Sequence, residues 1–130
     1  MSIRANCTYA CAALAALLAA AGLGGCFSDH TPVAAPTGRD LCSGAQPSGV
    51  VRIVDFAFTP AQATVARGGK VTFVNCSSTA TEHSSTSDAG VWNSNLLPQY
   101  ATFEQTYPTA GSFAFHCTPH PFMKGTVVVQ

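Results

Sequence analysis

Gly111-Ser112-Phe113-Ala114-Phe115-His116-Cys117-Thr118-Pro119-His120-Pro121-Phe122-Met123 joins a strand-like alternation to a short loop of metal-binding side chains. In a strand, successive side chains point to opposite faces, so Phe113, Phe115 and Cys117 share one face while Ala114 and His116 take the other. Cys117 is therefore expected to point into a dry interior, and His116 away from it, as a sheet-face residue and not a ligand. The second half sets a thiolate, an imidazole and a thioether at the spacing Cys-x-x-His-x-x-Met. Soft sulfur donors beside imidazole favour copper, and a trigonal His₂Cys set with a weak axial Met is the donor set of a blue-copper site. That set needs one more imidazole, which His83 offers from a Ser/Thr-rich stretch upstream. Pro119 and Pro121 fix φ and carry no N–H, so the loop is expected to be nearly closed before metal arrives.

Outward from this stretch the chain reads as short β segments separated by turn residues, with no sustained 3.6-residue period. Residues 50–58 alternate around Val51, Ile53 and the Phe56/Phe58 pair and are expected as one strand ended by Thr59-Pro60. A short strand over 63–66 is followed by Arg67-Gly68-Gly69-Lys70, read as a hairpin turn, and by a returning strand over 71–75. Further strands are expected over 102–107, 112–117 and 125–129, with Pro108-Thr109-Ala110-Gly111 turning between the first two. Strands at this spacing predict an all-β, two-sheet sandwich of about seven to eight strands.

The sequence between residues 51 and 129 resembles the cupredoxins, specifically the short plastocyanin and amicyanin type. The resemblance rests on Phe58-Thr59-Pro60, on Arg67-Gly68-Gly69-Lys70-Val71-Thr72-Phe73-Val74-Asn75, on the isolated His83, on residues 92–97, on Gly111-Ser112-Phe113 and on the ligand loop. The two-residue gap between His120 and Met123 is similar to the amicyanin loop, where plastocyanins place four residues. What the resemblance implies is a Greek-key sandwich holding one type 1 copper ion through His83, Cys117, His120 and Met123. It further implies that Trp92, Leu96, Leu97 and Phe122 are core and rim residues, and that redox partners dock on an apolar patch near His120 and Phe122. One departure is visible: these families commonly place Asn directly after the first ligand histidine, where it supports the ligand loop, and this chain has Ser84. A hydrogen bond between Ser84 and Thr118 is the expected substitute.

Residues 1–25 read as an export signal: one charge at Arg4, an apolar run rich in Ala and Leu, then small residues. The run is at the short limit for a membrane span and no basic stop signal follows it. Leu23-Gly24-Gly25-Cys26 resembles the lipobox of bacterial lipoproteins, which implies cleavage before Cys26, acylation of that cysteine and a periplasmic, membrane-anchored product. An ordinary signal with a free periplasmic product is the alternative. Residues 26–49, rich in Pro, Ala, Gly, Ser and Thr, are expected to be a tether bearing an exposed His30, and residues 50–130 the single folded domain.

Of the six cysteines, Cys7 and Cys11 leave with the signal and Cys26 is taken by lipid. In an oxidising compartment an odd remainder implies one pair and one special thiol. With Cys117 claimed by the loop, Cys42 and Cys76 form the candidate disulfide, two free thiols being the other possibility. Removing the signal leaves five basic residues (Arg39, Arg52, Arg67, Lys70, Lys124) against six acidic (Asp29, Asp40, Asp55, Glu82, Asp88, Glu104). No basic patch is available for nucleic acid, and long-range charge is not expected to dominate docking. A monomer is expected.

Other chemistries find no footing. A binuclear CuA site needs a second cysteine four residues after the first, where Pro121 stands. Multicopper oxidases need paired His-x-His motifs, and hydrolases a Gly-x-Ser-x-Gly elbow or paired carboxylates; the chain has none of these in place. The expected role is a one-electron carrier and not an enzyme, with a copper-delivery lipoprotein as the alternative.

Overall fold

In a computed structural model, which describes residues 35–130, eight strands and one short helix make two four-stranded sheets. The export signal, Cys26 and His30 lie outside the described residues. The strands are β1 (Val50–Val54), β2 (Ala57–Thr59), β3 (Gln62–Val65), β4 (Lys70–Asn75), β5 (Thr86–Ser87), β6 (Thr102–Thr106), β7 (Gly111–His116) and β8 (Lys124–Val129). One sheet runs β2-β1-β4-β6 and the other β3-β8-β7-β5, so the all-β sandwich expected from the alternation is what the chain forms. Each sheet has one parallel pair, β1 with β4 and β3 with β8, within otherwise antiparallel ladders.

Three local readings are corrected. Residues 50–58 are not one strand: the chain reverses at Asp55-Phe56, and β1 pairs antiparallel with β2 with Val54 opposite Ala57. Phe56 occupies that turn at φ 62°, a left-handed conformation that its sequence does not advertise. As a result Phe58 is buried while Phe56 is half exposed. Second, Arg67-Gly68-Gly69-Lys70 does turn, with the Gly69 N–H donating to the Ala66 carbonyl at 2.8 Å, but it is no hairpin. β3 and β4 belong to different sheets, so this turn carries the chain across the sandwich, as residues 107–110 do between β6 and β7.

Third, the stretch read as tether contains α1 (Gly38–Cys42), opened by a capping box in which Thr37 and Asp40 exchange hydrogen bonds. Five residues are too few for such a helix to stand alone. Leu41 packs against Val50 and Val74, the Arg52 side chain donates to the carbonyls of Leu41, Ser43 and Gly44, and Cys42 is disulfide-bonded to Cys76.

The core fills the space between the sheets with aromatic rings around Phe115. Phe58 and Phe73 meet it edge to face at 4.7 and 5.2 Å between centroids, and Trp92 lies 6.1 Å away. Such arrangements match the charge distribution of the rings and add to plain burial. Phe115 has room because Gly125 stands opposite it across the β7–β8 ladder; a Cβ at residue 125 would come within 2.3 Å of the Phe115 ring. Gly125→Ala is therefore expected to destabilise the fold by about 2 kcal/mol, at the middle of the range for overpacked cores. Urea unfolding with a lower midpoint and an unchanged slope checks this.

Candidate metal centre

Cys117 follows the end of β7 and is buried on the same inward side as Phe115, as the alternation predicted. The chain then closes on itself through three backbone hydrogen bonds. His120 N–H donates to the Cys117 carbonyl at 3.1 Å, Met123 N–H to the His120 carbonyl at 2.9 Å, and Cys117 N–H to the Met123 carbonyl at 3.1 Å. The intervening prolines have no N–H to satisfy, which leaves the short turn fewer donors to place. Met123 is buried in the same core cluster as Cys117.

His83 arrives from the other side of the sandwich. Its backbone exchanges two hydrogen bonds with Leu97, at 3.3 and 2.7 Å, which makes a one-residue ladder at the head of the core. The fully buried Asn75, at the end of β4, fastens the same region. Its Nδ2 donates to the carbonyls of Thr81 and Leu97 at 2.9 and 2.8 Å, and its Oδ1 accepts from Ser77 N–H at 3.0 Å. Ser84, standing where Asn was noted as usual, accepts from Thr118 N–H at 2.8 Å, and its own N–H donates to the Cys117 sulfur at 3.3 Å. Thr86 adds hydroxyl contacts to both Ser84 and Thr118.

These frameworks bring His83, Cys117 and His120 together, their potential donor atoms all within 4.8 Å of one another. Nδ1 of His83 and Nδ1 of His120 each lie 3.6 Å from the Cys117 sulfur. A first-row metal with bonds of about 2.0 Å to nitrogen and about 2.3 Å to sulfur spans N···S edges of about 3.5 to 3.7 Å at near-trigonal angles, so the donor set fits such an ion. Burial first, and the neighbouring His120 second, hold the His83 imidazole below its ordinary pKa, with Asp55 opposing. A neutral imidazole is the form that binds metal. Nε2 of His83 is buried without a hydrogen-bond partner among the described residues.

The remaining sequence expectations sort cleanly. His116 points away from the cluster and pairs through Nδ1 with Asp88. Trp92 and Leu97 are core, whereas Leu96 and Phe122 are exposed rim residues. Two contributors were not read from the sequence. Asn75 looks like an ordinary polar strand end, and Phe56 was assigned to a strand interior; its ring in fact lies 5.0 Å from that of His120.

Comparison with known proteins agrees with this geometry. Residues 48–130 match the family model of copper binding proteins of the plastocyanin/azurin family. The chain is 30% identical over 130 residues to amicyanin of Paracoccus denitrificans, covering 96% of this chain and 94% of the relative. Among solved structures, the reduced Cu(I) form of an amicyanin variant at pH 4 superposes with a TM-score of 0.59 at 31% identity, over 68% of this chain and 87% of the other. An oxidised amicyanin variant gives the same TM-score and coverage at 30% identity. With the sandwich, the His-Cys-His cluster and these matches in agreement, the chain belongs to the plastocyanin/azurin family of copper-binding proteins and is a cupredoxin whose cofactor is one type 1 copper ion.

Proposed function

We propose that this protein is a one-electron carrier between redox proteins, whose copper would be held by Nδ1 of His83, Sγ of Cys117 and Nδ1 of His120 together with the Met123 thioether. The observation that carries the reading is the convergence of both Nδ1 atoms on one buried thiol, which opens a loop closed by three backbone hydrogen bonds. Bound there, copper supplies reversible one-electron chemistry. The chain's part is to keep the donors still: the Leu97 ladder fixes His83, the Ser84–Thr118 bond joins the two ligand segments, and the Ser84 N–H stabilises negative charge on the sulfur. A carrier that hands copper on needs donors that open easily. His83 and Cys117, both fully buried, favour electron transfer over delivery.

The partner-facing surface in this reading is the apolar rim where His120 approaches solvent. Phe122 is 69% exposed, Phe56 51% and Leu96 52%, and the rings of Phe56 and Phe122 lie 6.2 Å apart beside His120. In this reading the protein works outside the cytoplasm as a monomer, anchored through lipid on Cys26. The signal-like residues 1–25 and the Cys42–Cys76 disulfide support export. Among the described residues no helix is long and apolar enough to cross a membrane.

The oxidised protein should be intensely coloured and the reduced protein colourless. Cys117→Ser should abolish the colour while the metal-free sandwich persists, and a coloured Ser variant with the same paramagnetic spectrum would remove Cys117 from the donor set. Met123→Leu should keep copper and colour but raise the reduction potential, since a dry neighbour without a donor atom disfavours Cu(II); voltammetry of the two proteins reads the difference. Exchange with a partner should depend weakly on salt, exposed charges being screened beyond about 8 Å at physiological ionic strength. Phe122→Glu should slow that exchange strongly with no change in the copper spectrum, as stopped-flow mixing would show. Copper content unchanged after many reversible cycles separates a carrier from a delivery protein.

A further inference from the structure

We propose that Phe56 is a positioning residue of the metal centre, its ring bracing His120 so that copper is lost slowly. The proposal rests on the reading that His83, Cys117 and His120 hold the ion. Phe56 stands in the two-residue turn between β1 and β2 at φ 62°, where Gly or Asn would be less strained, and its ring is half exposed. A phenyl group so placed gains little from burial, and strained positions of this kind gather at functional sites. The turn is anchored rather than loose: the Asp55 carboxylate accepts from the Ser77 hydroxyl, from Ser78 N–H and from the Ser78 hydroxyl at 2.9, 3.0 and 2.6 Å.

This anchored turn sets the ring edge-on to both imidazoles, at 5.0 Å and 84° to His120 and at 5.9 Å and 79° to His83. The two histidines need this unequally. His83 is fully buried and tied by its backbone ladder, whereas His120 is only partly buried, and the sole side-chain polar contact it makes among the described residues is the one to the Cys117 sulfur. His120 is thus the donor that can swing out first, and an imidazole that swings out opens the way for the ion to leave. Phe56 and Phe122 flank it, and Phe56 is the nearer, with Phe122 at 6.1 Å.

The test uses the copper-loaded, reduced full chain mixed with excess bathocuproine disulfonate, which reports released Cu(I) by its colour. Phe56→Asn suits the left-handed backbone and removes the ring; Phe56→Trp keeps an aromatic edge. Phe56→Asn should release copper on the order of ten times faster than the parent, as expected for the loss of two edge-to-face contacts. Its oxidised absorption spectrum should be retained, and its metal-free thermal midpoint should be unchanged or higher. Phe56→Trp should release copper within about twofold of the parent rate. Release from Phe56→Asn at the parent rate, or from Phe56→Trp as fast as from Phe56→Asn, overturns the proposal. So does loss of the metal-free fold in Phe56→Asn, which would give the ring a structural role. A parent protein that takes up no copper would instead overturn the assignment of the donors themselves.

Discussion

Phe115 on β7 and Cys117, the residue just past its end, share one inward face, so the hydrophobic core and the metal centre are solved by one packing arrangement. The aromatic rings around Phe115 fix where β7 sits between the sheets, and β7 in turn delivers the Cys117 sulfur to the head of the core. A shift of β7 by one residue would send the sulfur to solvent and His116 inward. Gly125, by leaving space for the Phe115 ring, belongs to the metal centre's support although it is far from a ligand in kind. The dry setting of the thiol is a by-product of the sandwich.

The other half of the centre depends on hydrogen bonds instead of apolar packing. His83 sits beyond the end of β4 on a stretch whose regular structure is limited to two isolated bridges, His83 with Leu97 and Thr86 with Asn93, and the brief β5. Asn75 substitutes for a strand there, its amide donating to the Thr81 and Leu97 carbonyls and accepting from the Ser77 N–H. Ser84 then locks this region to the ligand loop. A smaller side chain thus performs the bridging for which Asn is common at that position, because the Thr118 N–H is near enough for a hydroxyl to accept it.

How much of this was legible in the sequence follows from the range of each signal. The period of two in β7 and the Cys-x-x-His-x-x-Met spacing are local and chemically specific, so the sandwich, the inward thiol and the identity of the cluster could be read directly. The Gly-Gly turn at 68–69 was visible, but turn chemistry is local and does not say whether the chain stays in one sheet or crosses to the other. Phe56 was missed because a left-handed turn is normally announced by Gly or Asn, and here the reversal is imposed by Asp55 binding Ser77 and Ser78, more than twenty residues away. α1 was missed because five residues cannot display a helical period, and its stability comes from Leu41, Arg52 and the disulfide. His83 was found because the donor set was one imidazole short and the cupredoxin resemblance puts a ligand there.

The Cys42–Cys76 bond also has a mechanical meaning. It makes residues 43–75, and with them β1 to β4, a closed covalent loop. Tension applied along the chain from its N-terminal end would pass from Cys42 straight to Cys76 and leave that loop slack. The force would then run through the segment bearing His83, on to β6 and β7, and into the loop of Cys117 and His120. Half of the sandwich is shielded from pulling, and the half in the line of force is the one that carries the donors.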